Sequence, residues 1–211
     1  MKRIDINQAV DLIKDGMTIM VGGFLGVGAP DEVIKAIVKA GKKDLTIICN
    51  DTAFPECGSG LLVANRLVKK AIVSHIGTNP LAGEMMLNGE MEIELVPQGT
   101  LIEQIRCGGA GLGGVLTPTG LGTIVEKGKQ IVNIDGKDFL LEKPLRADVA
   151  LIGASISDKY GNLVFRGTTK NFNPLIAMAA DVVIAQATEE VEKIEPHDVH
   201  TPYLFVDYLI K

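Results

Sequence analysis

The feature that most narrows the fold is an alternation. Short apolar runs alternate with segments carrying an apolar stripe at helical spacing, and most runs end in a cluster of small and polar residues. Thr18-Ile19-Met20-Val21 ends in Gly22-Gly23-Phe24-Leu25-Gly26-Val27-Gly28, and Leu45–Cys49 ends in Asn50-Asp51-Thr52. Ala71-Ile72-Val73 leads into Ser74-His75-Ile76-Gly77-Thr78-Asn79, and Ile93–Val96 into Pro97-Gln98-Gly99-Thr100. Asp148–Ile152 leads into Gly153-Ala154-Ser155, and Val182–Ala185 is the last run. The pattern predicts helices over 5–16, from Pro30 to a stop at Gly41, and over 80–88, 100–107 and 173–180. The first has a capping-box pair in Asp5 and Gln8, and Gly16 at its stop. Strands that read as apolar runs and are joined by helices belong to a parallel sheet covered on both sides. The expected fold is therefore α/β: three layers, a mostly parallel sheet with helices on both faces.

One stretch breaks the rhythm. Residues 123–141 carry Asp135-Gly136 between two apolar segments, a hairpin-turn signal, and predict an antiparallel hairpin insertion. No internal repeat, low-complexity tract or linker interrupts the chain, so 1–211 is expected to be a single domain. A chain of 211 residues with 46% hydrophobic residues can bury a sizeable core, which excludes disorder. A net charge of −5 leaves no basic stripe for phosphates and argues against nucleic acid. Three Cys without a C-x-x-C pair argue against a disulfide framework and a structural zinc, and no metal site is expected. No apolar run is long enough to span a membrane, and with a helix pattern starting at residue 5 no leader is expected. A soluble cytoplasmic protein is the expectation.

In an open parallel sheet, ligands bind beyond the carboxyl ends of the strands. The clusters above all fall there, so that edge is the candidate site. The loop 22–28 holds four glycines in seven residues. It suits either a phosphate cradle or a tight turn with close helix–strand packing, and Asp31 and Glu32 just after it disfavour an anion. Gly109, Gly111 and Gly114 form a G-x-G-x-x-G, but after a helix and before Val115-Leu116, the reverse of a dinucleotide fingerprint. That placement counts against a nicotinamide oxidoreductase. His75 lies at a strand end, where a structural hydrogen bond is one role and ligand contact another; His197 and His200 lie in a polar stretch and read as surface or interface residues. Ser59 lacks the context of a nucleophile elbow, and Cys49 reads as a core thiol. Cys57 and Cys107 lack a clearly activating base, although Arg106 adjoins Cys107. No carboxylate pair stands out. The residues alone give a ligand-binding edge without a nucleophile, which an effector-binding, non-enzymatic α/β module would also show.

The stretch Asp15-Gly16-Met17-Thr18-Ile19-Met20-Val21-Gly22-Gly23-Phe24-Leu25-Gly26-Val27-Gly28-Ala29-Pro30 resembles the signature of the first subunit of family I coenzyme A transferases. Asn50-Asp51-Thr52-Ala53, Ser74–Pro80, Val96–Gly111 and Asn171-Phe172-Asn173-Pro174 resemble the alpha subunit of acetate/acetoacetate CoA-transferases, so the likeness covers nearly the whole chain. It departs at Tyr203, where the family pattern has Gly after Thr-Pro. The resemblance implies transfer of CoA between short-chain carboxylic acids through a glutamyl-CoA thioester, with CoA or acyl-CoA as substrate and no permanently bound cofactor. It implies a beta-subunit partner whose S-E-N-G motif supplies the nucleophilic Glu; no such motif occurs here. It assigns CoA binding to Gly22, Gly23, Phe24, Leu25, Gly26, Val27 and Gly28, and oxyanion stabilisation to Gln98.

Overall fold

The computed structural model describes all residues, Met1–Lys211. The chain opens with an edge strand, β1 (Lys2–Ile4), and a short helix, α1 (Ile6–Asp11). Strands and helices then alternate: β2 (Thr18–Val21), α2 (Asp31–Ala40), β3 (Leu45–Ile48), α3 (Ser59–Ala64), β4 (Val68–Val73), α4 (Pro80–Leu87), β5 (Glu92–Leu95) and α5 (Gln98–Ala110). A separate antiparallel sheet follows, made of β6 (Val115–Thr117), β7 (Gln130–Ile134) and β8 (Lys137–Glu142). The main sheet resumes with β9 (Ala147–Asp158) and β10 (Leu163–Val164), then α6 (Asn173–Ile176), β11 (Ala180–Val191) and β12 (Tyr208–Ile210).

The main sheet runs in the order β1-β12-β11-β9-β2-β3-β4-β5, with β10 on the end of β9. Every pairing is parallel except β10 with β9. Successive residues of a strand point to opposite faces, so Ile19 and Val21 join the core under α1 to α4, and Met20 joins the core under α5 and α6. Ile47 and Ile48 divide in the same way. Both faces are dry, which is why these strands read as unbroken apolar runs. Each buried Ile here contributes roughly 1.5–3 kcal/mol.

Local signals account for the element ends. Asp5 accepts from the Gln8 amide at 2.9 Å, and Gln8 Oε1 accepts from the Asp5 amide at 3.0 Å, closing the capping box. The helix stops at Asp11, short of the expected residue 16, because the amides of Leu12 and Ile13 turn back three residues, to Ala9 and Val10. Gly16, at φ +79°, belongs to the turn into β2 instead. Pro30, the expected first helical residue, stands instead at the N-cap position of α2 with no side-chain capping bond, and Gly41 ends the helix in the left-handed region at φ +66°. The expected helix over 173–180 shrinks to α6: the amides of Met178 and Ala179 bond three residues back, and Ala180 starts β11.

The insertion has the expected hairpin, with Asp135 and Gly136 both at positive φ between β7 and β8. It gains a third strand, β6, beyond the expected range. Glu142, 2% exposed, anchors it: Lys129 Nζ lies 2.6 Å from Oε1, and Gln104 Nε2 on α5 donates to Oε2 at 3.0 Å. Tyr203 adopts no left-handed backbone, so the terminal loop forms without the family's Gly; its amide donates to Asn162 Oδ1 at 3.0 Å. No helix is long and apolar enough to cross a membrane.

Candidate functional site

The strand order reverses between β2 and β9. After β2 the chain crosses to the face of α2, and after β9 to the face of α6. In open α/β sheets that switch point is the usual crevice. Here one side chain occupies much of it. Asn173, wholly buried, donates from Nδ2 to the carbonyls of Gly28 (3.0 Å) and Thr169 (2.8 Å), and its Oδ1 accepts from the Gly153 amide (3.3 Å). A polar hollow of about 120 Å³ lies beside it. A Cβ on Gly22 would fall 1.7 Å from Asn173 Oδ1, and one on Gly28 2.8 Å from Thr169 Cα. Those two positions must be glycine because the 169–173 segment packs directly on the loop.

The middle of the loop is a tight hairpin. The amides and carbonyls of Phe24 and Val27 bond reciprocally at 3.0 Å. Leu25 (φ +50°) and Gly26 (φ +86°) are the two central residues, both left-handed, as a primed hairpin turn requires. A left-handed Leu costs roughly 1–2 kcal/mol, so something must hold it. The holder is Asp51, 3% exposed, whose carboxylate accepts from the Leu25 amide at 3.1 and 3.2 Å. The same carboxylate accepts from the Ala53 amide at 2.8 Å, where Ala53 is also left-handed at φ +49°. Its third partner is Asn50 Nδ2 at 2.6 Å.

The hairpin tip overhangs a cavity of about 300 Å³ at the ends of β2 to β5. Phe24, Leu25, Asn50, Asp51, Ser74, His75, Thr78 and Gln98 line it. Gln98 opens α5 and donates from Nε2 to Asn50 Oδ1 at 2.7 Å. Ser74 Oγ bonds the Asn50 carbonyl at 2.7 Å, and Thr78 Oγ1 bonds the Ala53 carbonyl at 2.9 Å. His75 is exposed at the rim, and its carbonyl accepts from the Thr52 amide. Four strand ends named from the sequence thus meet here. Of the loop residues Gly22 to Gly28, only Phe24 and Leu25 reach the cavity; Gly153-Ala154-Ser155 lies apart from it. The role of Asn50 and Asp51 as a hub was not read from the sequence, although their place just after a strand was the available signal.

The other candidates have structural surroundings. Cys49 is buried, and burial first, then the nearby Asp51 charge, push its thiol well above the ordinary value against an opposing Ser59 bond. Cys57 packs on the hairpin, with Sγ 2.5 Å from where a Cβ on Gly26 would stand. Ser59 Oγ donates to the Asp51 carbonyl. His200 accepts the Phe165 amide through Nδ1 at 3.0 Å and stacks on that ring. Gly109 lies against Met178, and Gly111 caps α5 at φ +69°, so the G-x-G-x-x-G motif closes a helix.

A mostly parallel α/β sheet with helices on both faces and a small antiparallel insertion, its open cavity at the carboxyl edge lined by the Gln98 amide and by a carboxylate already committed to Leu25, Ala53 and Asn50, places the chain in the α/β class. Residues 3–211 match the family model described as Coenzyme A transferase. The chain is 54% identical over 211 residues to the acetate CoA-transferase subunit alpha of Escherichia coli K12, covering 99% of this chain and 96% of that one. It is 55% identical over 212 residues to the acetoacetyl-CoA:acetate/butyrate CoA transferase alpha subunit of Clostridium acetobutylicum, covering 100% and 97%. The chain belongs to the coenzyme A transferase family. An acyl-CoA transferase from E. coli O157:H7, solved as a thioester complex with CoA, shares the fold with a TM-score of 0.86 at 24% identity; the match covers 98% of this chain and 46% of that longer one.

Proposed function

We propose that the chain is the alpha subunit of a heteromeric short-chain acyl-CoA:carboxylate CoA-transferase of the acetate, acetoacetate and butyrate type. It works with a beta subunit that supplies the nucleophilic Glu. The observation that carries this reading is the composition of the cavity. Its one carboxylate, Asp51, is committed to the Leu25 and Ala53 amides and to Asn50, which supports a reading in which the attacking carboxylate comes from the partner.

In the reaction, the partner's carboxylate adds to the thioester carbonyl and expels CoA thiolate, leaving a mixed anhydride. The thiolate adds to the glutamyl carbonyl and expels the first acid, leaving glutamyl-CoA. A second acid reverses both steps and leaves with the CoA. Every addition puts negative charge on a carbonyl oxygen. Gln98 Nε2 has two N–H groups and gives one to Asn50; the other is the donor for that oxygen. The segment Gly22, Gly23, Phe24, Leu25, Gly26, Val27 and Gly28 forms the CoA-binding side. Phe24 and Leu25 supply its apolar contact, and the glycines let the backbone fold tightly behind them. A cavity of about 300 Å³ suits a short acyl group.

The test mixes the chain with its partner and follows CoA exchange between acetyl-CoA and butyrate. Neither chain alone should turn over, the mixture should, and mass spectrometry of a single turnover should find the CoA adduct on the partner. Acyl exchange by this purified chain alone, or an adduct on it, overturns the reading.

A further inference from the structure

We infer that Asp51 is a positioning residue for this chemistry: through Asn50, its buried carboxylate fixes which way round the Gln98 amide stands. The inference rests on the reading of Gln98 as an oxyanion donor.

A side-chain amide fits a site in either of two orientations, and only its partners decide between them. A carboxylate that receives three N–H groups accepts only. Asn50, 2% exposed, therefore turns Nδ2 to Asp51 Oδ2 at 2.6 Å. That leaves Asn50 Oδ1 on the far side as an acceptor, where it takes Gln98 Nε2 at 2.7 Å and faces Ser74 Oγ at 3.3 Å. Gln98 is exposed, at the first position of its helix, and this is its one side-chain bond. Turned over, it would place Oε1 where Nε2 now stands and change which of its atoms meets the reacting carbonyl. The order of donors along Asp51, Asn50 and Gln98 is thus set at its buried end.

The buried end is itself held firmly. Leu25 and Ala53 keep left-handed backbones, and both give their amides to Asp51. Strained conformations persist only where the surroundings over-determine them. The same carboxylate therefore places the apolar tip of the glycine loop and the polar donor on the opposite wall. A purely structural role would stop at the two amides; the bond to Asn50 is what extends it to Gln98.

Asp51→Asn separates these roles. Its new Nδ2 would meet Asn50 Nδ2 donor to donor, so Asn50 turns over and Gln98 follows. Four assembled enzymes are compared: wild type, Asp51→Asn, Gln98→Ala and the double variant, each checked for assembly by size-exclusion chromatography. Asp51→Asn should lower kcat about 10²-fold, the scale of a misplaced catalytic group. Its KM for acyl-CoA should stay within about threefold, because ground-state binding is kept. In the Gln98→Ala background it should cost nothing further in kcat. An unchanged kcat, or a loss that multiplies with that of Gln98→Ala, overturns the inference and leaves the Gln98 reading intact. If Gln98→Ala alone leaves kcat unchanged, the Gln98 reading fails and the inference falls with it. If Asp51→Asn does not assemble, Asn50→Ala takes its place. It cuts the link yet keeps the bonds of Asp51 to the Leu25 and Ala53 amides, and the same outcomes decide.

Discussion

Gly26→Ala measures what the glycine loop is for. The added methyl would stand 2.5 Å from Cys57 Sγ and 3.2 Å from Cys57 Cβ, on a backbone at φ +86°. The left-handed backbone costs an Ala roughly 1–2 kcal/mol. Forcing the thiol aside adds about 1–3 kcal/mol, the usual range for overpacking. A total near 3 kcal/mol lowers the melting temperature of a chain this size by on the order of 10 °C. Cys57→Ala removes the atom at 2.5 Å and leaves one at 3.2 Å, which a small shift accommodates. The double variant should therefore recover about 1–3 kcal/mol of the loss, a coupling expected only of residues in contact. The backbone share should stay lost. Differential scanning calorimetry on all four proteins reads the cycle, and titration calorimetry on the assembled enzyme reads CoA affinity in parallel. The packing account predicts a large thermal loss, a clear coupling to Cys57 and CoA affinity within a few-fold. A Gly26→Ala protein that melts with wild type but binds CoA weakly would refute it and put that methyl in ligand space.

Gln98→Ala should lower kcat by about 10²–10³ with little change in KM, as for loss of one oxyanion donor, and Gln98→Glu should be at least as poor. Single-turnover formation of the glutamyl-CoA adduct is the readout, and a rate within a few-fold of wild type would make Gln98 a loop cap. Burial tends to raise the Asp158 carboxyl, but bonds from the Asn162 side chain and amide and from the Ile194 and Tyr160 amides outweigh it and hold it below the usual range. A depressed value in the folded state contributes stability above the unfolded pKa, about 3.9, and loses it as pH falls through the folded one. Asp158→Asn should melt below wild type at pH 6, with the gap closing under acid; a gap independent of pH would refute the assignment.

The sequence was most legible where burial on both faces wrote itself into the residues. β2 falls on Thr18–Val21 as expected, and β3 and β5 lie within one residue of expectation. The same signal failed for β9 and β11, each expected as a short run but extending over twelve residues. Beyond Ile152 and Ala185 the residues turn small or polar, yet the two strands keep pairing to Val191 and Asp158. An apolar run misses both continuations: β11 keeps pairing although Thr188 to Glu190 are exposed, and β9 keeps pairing through small and polar residues that are themselves buried, Ser157 and Asp158 among them. β1 and β12 went unread for a related reason: each has three residues, too few to show a period. At the site, the strand ends were legible because small polar residues follow apolar runs. The hub was not, because Asn50 and Asp51 draw their meaning from Leu25 and Gln98, which only the folded sheet brings to them. The packing demand on Gly22 was hidden in the same way, since Asn173 lies far along the chain.

That distance bears on how the chain acquires its site. The bonds of Asn171 and Asn173 with Gly23, Val27 and Gly28, the first accepted from the Gly23 amide and the others donated to the Val27 and Gly28 carbonyls, join residues separated by 144 to 148 positions. β9, which lies beside β2, is made only after β3 to β5 and the insertion have been laid down. Contacts this remote demand closure of nearly the whole chain before they return any stabilisation, and they form late. A nascent chain halted after α5 would hold β2 to β5 and every residue lining the cavity, yet lack the clamp that seats the glycine loop. Seating of the two ends of the glycine loop is therefore a late folding event, governed by the C-terminal third of the chain, whereas Asp51, which holds the Leu25 tip, and the other cavity-lining residues all lie in its first half.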